Sequence, residues 1–230
     1  MTLAVKMIAH TTDAERVVAA AAKLCYSASP VGELLDGLDG ERIGGFLAKL
    51  RGSGHFSPFE HASFTFAVEG VSRVATHQLV RHRIASFSQQ SQRYVAMREA
   101  ECVVPPEISR SEEAARVFGE SLAAARKAYE KLSALGVPRE DARFILPHGL
   151  ETRIIVTMNA RELLHFFGLR LCRRAQWEIR AVARMMLSLA AAEAPRLFDG
   201  AGPSCVGGAC AERENCGKPY KNTEEVLEDK

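Results

Sequence analysis

The sequence predicts one mixed α/β domain that contains more helix than strand. Two segments carry strand patterns, at residues 61–68 and 152–158, whereas seven segments repeat apolar residues at helical spacing. The chain has 230 residues, 47% of them hydrophobic, and can therefore bury one substantial core. Apolar periodicity stops after residue 200. We therefore expect a single domain over residues 1–200 and a Cys/Gly-rich, charged tail over residues 201–230.

The N-terminal half is predicted to contain three helices and one strand. Residues 15–26 and 41–50 have helical spacing, and residues 27–40 form a link that contains Gly and Pro. Phe64, Phe66 and Val68 alternate with small or polar residues, which is typical of a strand with one buried face. Ser72 is a suitable N-cap for a helix that runs to about Arg83. The polar run at residues 86–91 is predicted to be a loop.

The C-terminal half is predicted to be mainly helical. A helix over residues 111–135 ends at Gly136, and a second one follows Pro138 as far as residue 144. Residues 152–158 are rich in β-branched side chains and form the second predicted strand. Asn159 then caps a helix to about Leu171, and residues 175–194 form one more long helix.

Composition limits the classes of function. The formal net charge is +2, which favours neither a nucleic-acid partner nor a membrane surface. Residues 1–20 include acidic side chains and no unbroken apolar run, so neither a secretory signal nor a spanning helix is expected. Six cysteines in a chain of this size favour reduced thiols, and we expect a cytoplasmic protein.

The tail contains three of the cysteines. Cys205, Cys210 and Cys216 lack the paired C-x-x-C spacing of structural zinc sites, although Cys172 could add a fourth thiolate. We therefore predict no metal site. The charged residues 224–230 are expected to fray.

Arginines are concentrated between Gly70 and Arg98, where Asp, Glu and Lys are absent. The five are Arg73, Arg81, Arg83, Arg93 and Arg98. A guanidinium group binds anionic oxygens as a rigid fork, so this stretch favours a phosphate-containing ligand. Arg81, His82 and Arg83 would point about 100° apart on a regular helix. We therefore expect them at a helix end, followed by a loop whose hydroxyl and amide groups add further donors.

Six positions in this stretch match a known signature. Arg81, His82, Arg83 and Ser86, then Ser91 and Arg93, fit R-H-R-x-x-S followed by S-x-R, and here the chain resembles the flavin-dependent thymidylate synthases. Residues 55–61, 137–147, 159–161, 169–170 and 175–178 are similar to further blocks of that family. Three positions depart from its usual pattern: Ser88 replaces Asn, Gln92 replaces the Gly of some members, and His165 replaces Asn.

The resemblance implies a fold and a reaction. The fold is a central mixed or antiparallel sheet flanked by helices. The reaction is the reductive methylation of dUMP to dTMP by an FAD-dependent methyltransferase, with methylenetetrahydrofolate as carbon donor and NADPH as reductant. The resemblance also implies a homotetramer with active sites shared between subunits, and no nucleic-acid or membrane partner.

The resemblance also assigns residues to ligands. Contacts to dUMP fall on Gln78, Leu79, Val80, Arg81, Gln89, Gln90, Ser91, Gln92, Arg93, Arg143 and Arg170. Contacts to FAD fall on Ser57, Arg81, His82, Arg83, Gln89, Asn159, Ala160, Arg161 and His165. Arg170 and His55 are the implied catalytic residues. Arg170 would hold the N3/O4 edge of uracil in its anionic form and push electron density toward C5.

Helical geometry adds an expectation about Arg161 and Arg170. Nine steps of about 100° place them on opposite faces of a continuous helix, so they cannot easily serve one ligand from the same side. Either flavin and nucleotide approach this helix from two sides, which implies shared active sites, or the helix breaks at Gly168.

Two other functions are compatible with an arginine-rich loop. One is a non-catalytic RNA- or nucleotide-binding module, although the near-neutral charge and the lack of an aromatic stacking series argue against it. The other is a flavoprotein NADPH oxidase that has lost dUMP binding through the changes at Ser88 or Gln92.

Overall fold

The computed structural model describes residues 2–97 and 101–229. The strands are β1 (Ala4–His10), β2 (Ser63–Ser72), β3 (Ala85–Gln89) and β4 (Glu151–Asn159). They form one antiparallel sheet in the order β1-β2-β4-β3. Within the described residues the remaining elements are mostly helices, so the predicted helix-rich mixed α/β fold class is confirmed.

Eleven helices lie within the described residues. They are α1 (Ala14–Leu24), α2 (Val31–Asp36), α3 (Gly40–Gly52), α4 (Arg73–Leu79), α5 (Pro106–Ser109), α6 (Glu112–Ala134), α7 (Arg139–Ala142), α8 (Ala160–Arg170), α9 (Trp177–Glu193), α10 (Pro195–Phe198) and α11 (Thr223–Glu228). Short 3₁₀ turns cover Ser57–His61, Arg143–Ile145 and Ser204–Val206. No helix of the described chain is both long enough and apolar enough to cross a bilayer.

The chain forms two compact units, and unit 1 is drawn from Met1–Ala4, Val68–Val80 and Ser88–Ile154. Its core contains Met97, Tyr129, Ala142, Leu146 and Leu150. The predicted cap of α4 is present here, since the hydroxyl of Ser72 accepts the N–H of Ala75, and Ser111 caps α6 in the same way by accepting the N–H of Ala114. Each cap satisfies a helix N–H that has no partner within its helix.

Unit 2 is drawn from Val5–Ala67, Arg81–Phe87 and Ile155–Lys230. Its core includes an aromatic group in which the ring centroids of Phe64 and Phe167 lie 5.3 Å and 5.9 Å from that of Phe198. All three rings are buried. Asn159 caps α8 as predicted, because its side-chain oxygen accepts the N–H of Glu162 at 2.9 Å.

Three predictions about local structure were wrong or incomplete. Residues 86–91 are not all loop, because residues 85–89 form the edge strand β3; a strand can be built from short polar residues when its backbone pairs with a neighbour. The link over residues 27–40 contains α2, and β1 was not predicted. The terminal segment, which was expected to fray, is ordered as α11 up to residue 228, and Val226 in it is 2% exposed. Arg98 and Lys230 lie outside the described residues.

Candidate active site

The Arg-His-Arg motif follows the end of a helix, as predicted. Helix α4 ends at Leu79, and the chain turns at Val80 and Arg81 before β3 begins. Arg81 and Arg83 are exposed, whereas His82 is 4% exposed. The motif therefore presents two guanidinium groups to solvent and one imidazole to the interior of unit 2.

His82 connects two side chains of α8. The Nε–H of Arg170 donates to Nε2 of His82 at 3.1 Å, and Nδ1 of His82 lies 3.0 Å from Oε1 of Glu162. A guanidinium group can only donate, so Nε2 of His82 must be the acceptor. The ring proton therefore sits on Nδ1 and is donated to Glu162, which is 6% exposed. Glu162 was not among the residues predicted from the sequence.

The electrostatics of this group favour a neutral imidazole. Burial, together with the positive charge of Arg170 and the nearby His165, lowers the pKa of His82 to about 4. Burial also raises the pKa of Glu162, and His165 partly offsets that rise. His82 is consequently uncharged at neutral pH, which is the state that can accept the Arg170 hydrogen bond.

His82, Glu162 and His165 also resemble a possible metal-ligand group. Their candidate ligand atoms lie within 4.8 Å of one another. Both ring nitrogens of His82 already take part in hydrogen bonds, one of them with a cationic guanidinium. A cation here would compete with Arg170, so the arrangement is better suited to positioning Arg170 than to binding a metal.

Helix α8 is continuous from Ala160 to Arg170 and does not break at Gly168. Of the two alternatives predicted for this helix, the break is therefore excluded. Arg161, at the first turn, is exposed and forms an ion pair with Glu60. Arg170, at the last turn, is half-buried, and its Nε–H donates to His82. Because the helix is regular, these two guanidinium groups leave it on opposite faces.

Three further predicted residues belong to unit 2. His165 is exposed, and its ring centroid lies 5.6 Å from that of His82. Ser57 begins the 3₁₀ turn Ser57–His61 and is exposed. His55 is half-buried and donates its backbone N–H to Leu50 at 2.9 Å. Among the described contacts, none joins the His55 ring to the Arg170 group.

Most residues predicted to contact dUMP belong to unit 1. Gln78 is half-buried, Leu79 is buried and Val80 is exposed at the end of α4. The amide nitrogen of Gln89 donates to the hydroxyls of Thr76 and Thr152, at 3.0 Å and 3.3 Å. The donor group of Gln89 is thus used to fix its own side chain.

The segment after β3 carries the rest of the predicted dUMP set. Gln90 donates its backbone N–H to Arg153, Ser91 accepts the N–H of Arg93 through its hydroxyl, and Gln92 is 8% exposed. The Nε of Arg93 lies 2.7 Å from a carboxylate oxygen of Glu140. The segment therefore has defined backbone geometry next to the exposed guanidinium group of Arg93.

Arg73 is a candidate that sequence reasoning did not assign to a ligand. Its Nη2–H donates to the carbonyl of Gln90 at 2.9 Å, and its Nε is buried without a hydrogen-bond partner among the described residues. Burial, and then the positive charge of Arg143, lower the pKa of Arg73. Two guanidinium groups that raise each other's energy, one with an unsatisfied N–H, suit a phosphate anion. The sequence signal that could have identified Arg73 was its position between Gly70 and Arg98, where arginines occur and acidic residues are absent.

The residues predicted to contact FAD can be tested against the needs of that cofactor. FAD contains a pyrophosphate dianion, which requires donors that are not already neutralised. Among residues 2–97 and 101–229, neither Arg81 nor Arg83 forms an ion pair, and both are exposed. Asn159 and Ala160 also place the N-terminus of α8 in the same unit. Arg81, Arg83 and this helix N-terminus therefore fit the cofactor, whereas Arg161 is already paired with Glu60.

Comparisons with known proteins identify the family of the chain. The family model described as "Thymidylate synthase complementing protein" matches residues 6–196. The flavin-dependent thymidylate synthase of Geobacter sulfurreducens is 54% identical, over 93% of this chain and 94% of that protein. The enzyme of the same name from Clostridium tetani is 48% identical, over 95% and 94%.

A solved structure shows the same fold. The UMP/dUMP methylase PolB of Streptomyces cacaoi, crystallised with 5-Br dUMP, superposes with a TM-score of 0.73 at 26% identity, covering 85% of this chain and 93% of that one. The resemblance inferred from the Arg81-to-Arg93 motif is thus confirmed along most of the sequence. The chain belongs to the family of flavin-dependent thymidylate synthases.

Proposed function

We propose that this protein methylates dUMP to dTMP with FAD as its cofactor, and that Arg170, held by His82 and Glu162, activates the uracil ring. Membership of the family confirms the predicted enzyme class and the flavin, and favours this reaction over a binding module or a bare oxidase. Methylenetetrahydrofolate as carbon donor and NADPH as reductant are consistent with the family. FAD, when bound, would supply the hydride that completes the methyl group.

The observation that carries the proposal is the fixed orientation of Arg170. Carbon 5 of uracil is a weak nucleophile, and stabilising negative charge on the N3/O4 edge increases electron density at C5. Such stabilisation is effective when the donor is oriented before the substrate arrives. The bond from Arg170 to His82 provides this orientation, because it holds the Nε of Arg170 at one point in unit 2.

The predicted ligand sets divide between the two units. Within the dUMP set, every residue except Arg81 and Arg170 belongs to unit 1, and within the FAD set every residue except Gln89 belongs to unit 2. We assign the nucleotide phosphate to Arg93, Arg143 and, in addition, Arg73. We assign the flavin phosphates to Arg81 and Arg83, and to Arg161 once its ion pair with Glu60 opens. Asn159 donates through its amide nitrogen because its oxygen is used by the helix cap.

Substitution of Arg170 tests the proposal. Arg170→Ala should keep its FAD, as measured from the flavin absorbance of the purified protein, and should lose dTMP formation by at least about 100-fold. Arg170→Lys is the matched control, since it keeps the charge but loses the planar donor set, and should recover only a small part of the activity. An Arg170→Ala enzyme with unchanged kcat would contradict the assignment.

We further propose a homotetramer in which subunits share active sites. Arg161 and Arg170 leave the unbroken α8 on opposite faces, so a flavin on one face and a nucleotide on the other are most simply served by different subunits. Large apolar side chains are also exposed, among them Phe144 at 84%, Tyr94 at 71% and Ile84 at 66%. Such exposure is typical of surfaces that self-associate.

Co-expression of two inactive variants tests the sharing. If Arg161 and Arg170 of one site come from different subunits, a mixed pair of Arg161→Ala and Arg170→Ala chains contains one intact site. Random pairing then restores about a quarter of the wild-type activity. Each variant alone is the control, and no recovery in the mixture would mean that one subunit supplies both residues.

A further inference from the structure

Four of the six cysteines line a single cavity in unit 2. Cys172 follows α8, whereas Cys205, Cys210 and Cys216 lie in residues 204–219, which we call the cysteine loop. The cavity has a volume of about 370 Å³, and all four thiols are free. Cys172 is far from the other three in sequence, so local chain geometry alone does not bring it to the same cavity.

The cysteine loop is held by polar contacts, chiefly those of Arg174, which pairs with Glu212 and Glu214 and donates to the Glu214 carbonyl. Its only regular element is the 3₁₀ turn Ser204–Val206, and no residue from 204 to 219 is buried. The chain on either side is anchored, by buried Pro203 before the loop and by Tyr220 after it, whose ring packs 4.1 Å from the guanidinium of Arg173. A segment that buries no apolar side chain gains little from the hydrophobic effect, and a bound metal would add to the exposed ion pairs of Arg174.

We propose that Cys172, Cys205, Cys210 and Cys216 bind one structural Zn²⁺ ion, which fastens the cysteine loop to the end of α8. Four thiolates are an established donor set for structural zinc, and four residues separate Cys205 from Cys210, within the C-x₂₋₄-C range of such sites. Binding forms four Zn–S bonds and releases the four thiol protons, so it needs no oxidant or reductant. A zinc site here differs from the sequence analysis, which predicted no metal site.

Charge in the cavity wall favours the proposal. Zn²⁺ with four thiolates carries a net charge of −2, and the same cavity is lined by Lys218, Arg173 and Arg174. Arg173 already pairs with Asp229, and Arg174 with Glu212 and Glu214. Glu212 is the single carboxylate among the lining residues. Lys218, which forms no ion pair within residues 2–97 and 101–229, favours the deprotonated sulfurs that zinc requires.

The loop must contract for the metal to bind. Zn–S bonds of about 2.3 Å place tetrahedral sulfurs about 3.8 Å apart. In the described residues, the group with at least three possible ligand atoms within 4.8 Å is the one around His82, so the four sulfurs are spaced more widely than in a formed site. Glycines at 207, 208 and 217 give the loop the backbone freedom to close.

Metal analysis of the full-length protein tests the site. The chain is treated with chelator, titrated with Zn²⁺, passed through a desalting column and analysed for zinc, iron and sulfide. We expect about one zinc per chain, and a several-fold loss of zinc in Cys172→Ser and in Cys210→Ser. Cys25→Ser is the matched control, because Cys25 is exposed and does not line the cavity. FAD content, measured in parallel, shows whether each variant is folded.

Limited proteolysis gives a second readout that does not depend on catalysis. Zinc should slow cleavage within residues 204–219 of the wild type and of Cys25→Ser, but not of Cys172→Ser. The proposal would be overturned if a protein with reduced thiols retained no zinc, if Cys172→Ser retained as much zinc as the wild type, or if iron with sulfide were found in place of zinc. A disulfide between two of these cysteines in protein purified under reducing conditions would do so as well.

Discussion

Replacement of Glu162 by Leu should impair the positioning of Arg170 while the Arg170 side chain itself stays unchanged. In the wild type, Nδ1–H of His82 donates to Glu162 at 3.0 Å while Nε2 accepts from Arg170 at 3.1 Å. Leu at position 162 leaves a buried donor without an acceptor. If the ring proton moves to Nε2 instead, that N–H opposes the N–H of Arg170. Either way, one hydrogen bond of the group is lost.

The size of the effect follows from these two bonds. A buried donor left unsatisfied costs about 1–3 kcal/mol, so we expect the free energy of unfolding of Glu162→Leu to fall by about that amount. If the stabilisation that Arg170 gives to the transition state falls by a similar free energy, kcat falls by about 10-fold to 100-fold. Each 1.4 kcal/mol corresponds to a factor of about ten in rate. The effect should appear mainly in kcat at saturating dUMP, because most residues assigned to the nucleotide lie elsewhere, in unit 1.

Glu162→Gln is the control that makes the experiment decisive. Its amide oxygen can still accept from Nδ1–H, so the tautomer of His82 and most of kcat should be retained. Urea unfolding, FAD absorbance and steady-state dTMP formation are measured for both variants. Wild-type kcat in Glu162→Leu, or equal losses in the two variants, would refute the argument that hydrogen-bond acceptance by residue 162 positions Arg170.

Three more outcomes are expected. Since burial and Arg170 lower the pKa of His82 to about 4 from 6.5, the unfolded state takes up a proton first as pH falls. The free energy of unfolding is therefore unaffected by His82 well above pH 6.5 and falls as the pH drops toward 4, by about 1.4 kcal/mol at pH 5.5. Urea unfolding measures this fall, which should be absent in His82→Gln. Gly70→Ala should lower the free energy of unfolding by at least about 2 kcal/mol, because φ of Gly70 is 67° and the new Cβ would lie 2.6 Å from the Thr2 carbonyl oxygen. Gly54→Ala is the control: φ is 71°, the space around the new Cβ is open, and the free energy of unfolding should fall by only about 1 kcal/mol. Arg73→Ala should raise the KM for dUMP by at least about 10-fold while FAD content stays unchanged, and an unaltered KM would remove Arg73 from the nucleotide site.

The longer helices and the two central strands could be predicted because their signals are local. Ser72 and Asn159 cap helices where the sequence placed them, and the alternation of Phe64, Phe66 and Val68 marks a strand with a buried face. Strands β1 and β3 were missed since both lie at the edges of the sheet, where one side of the backbone is unpaired and burial alternates weakly.

The candidate site was predicted only in part. The Arg-His-Arg motif identified the family, but it could not reveal that His82 turns inward while its two neighbours remain exposed. Glu162 was missed because a lone acidic residue near a helix start is usually a solvated one. Its burial becomes meaningful only when residues 82 and 170 are known to meet it, and that contact spans 80 positions of sequence.

The unbroken course of α8 has a consequence for ligand binding. Arg161 and Arg170 sit about 14 Å apart on one rigid rod, at 1.5 Å per residue. A ligand that shifts one end of such a rod must move the other end, so cofactor and nucleotide should change each other's affinity by the same factor. Through α8, binding of the cofactor and binding of the nucleotide are therefore thermodynamically coupled.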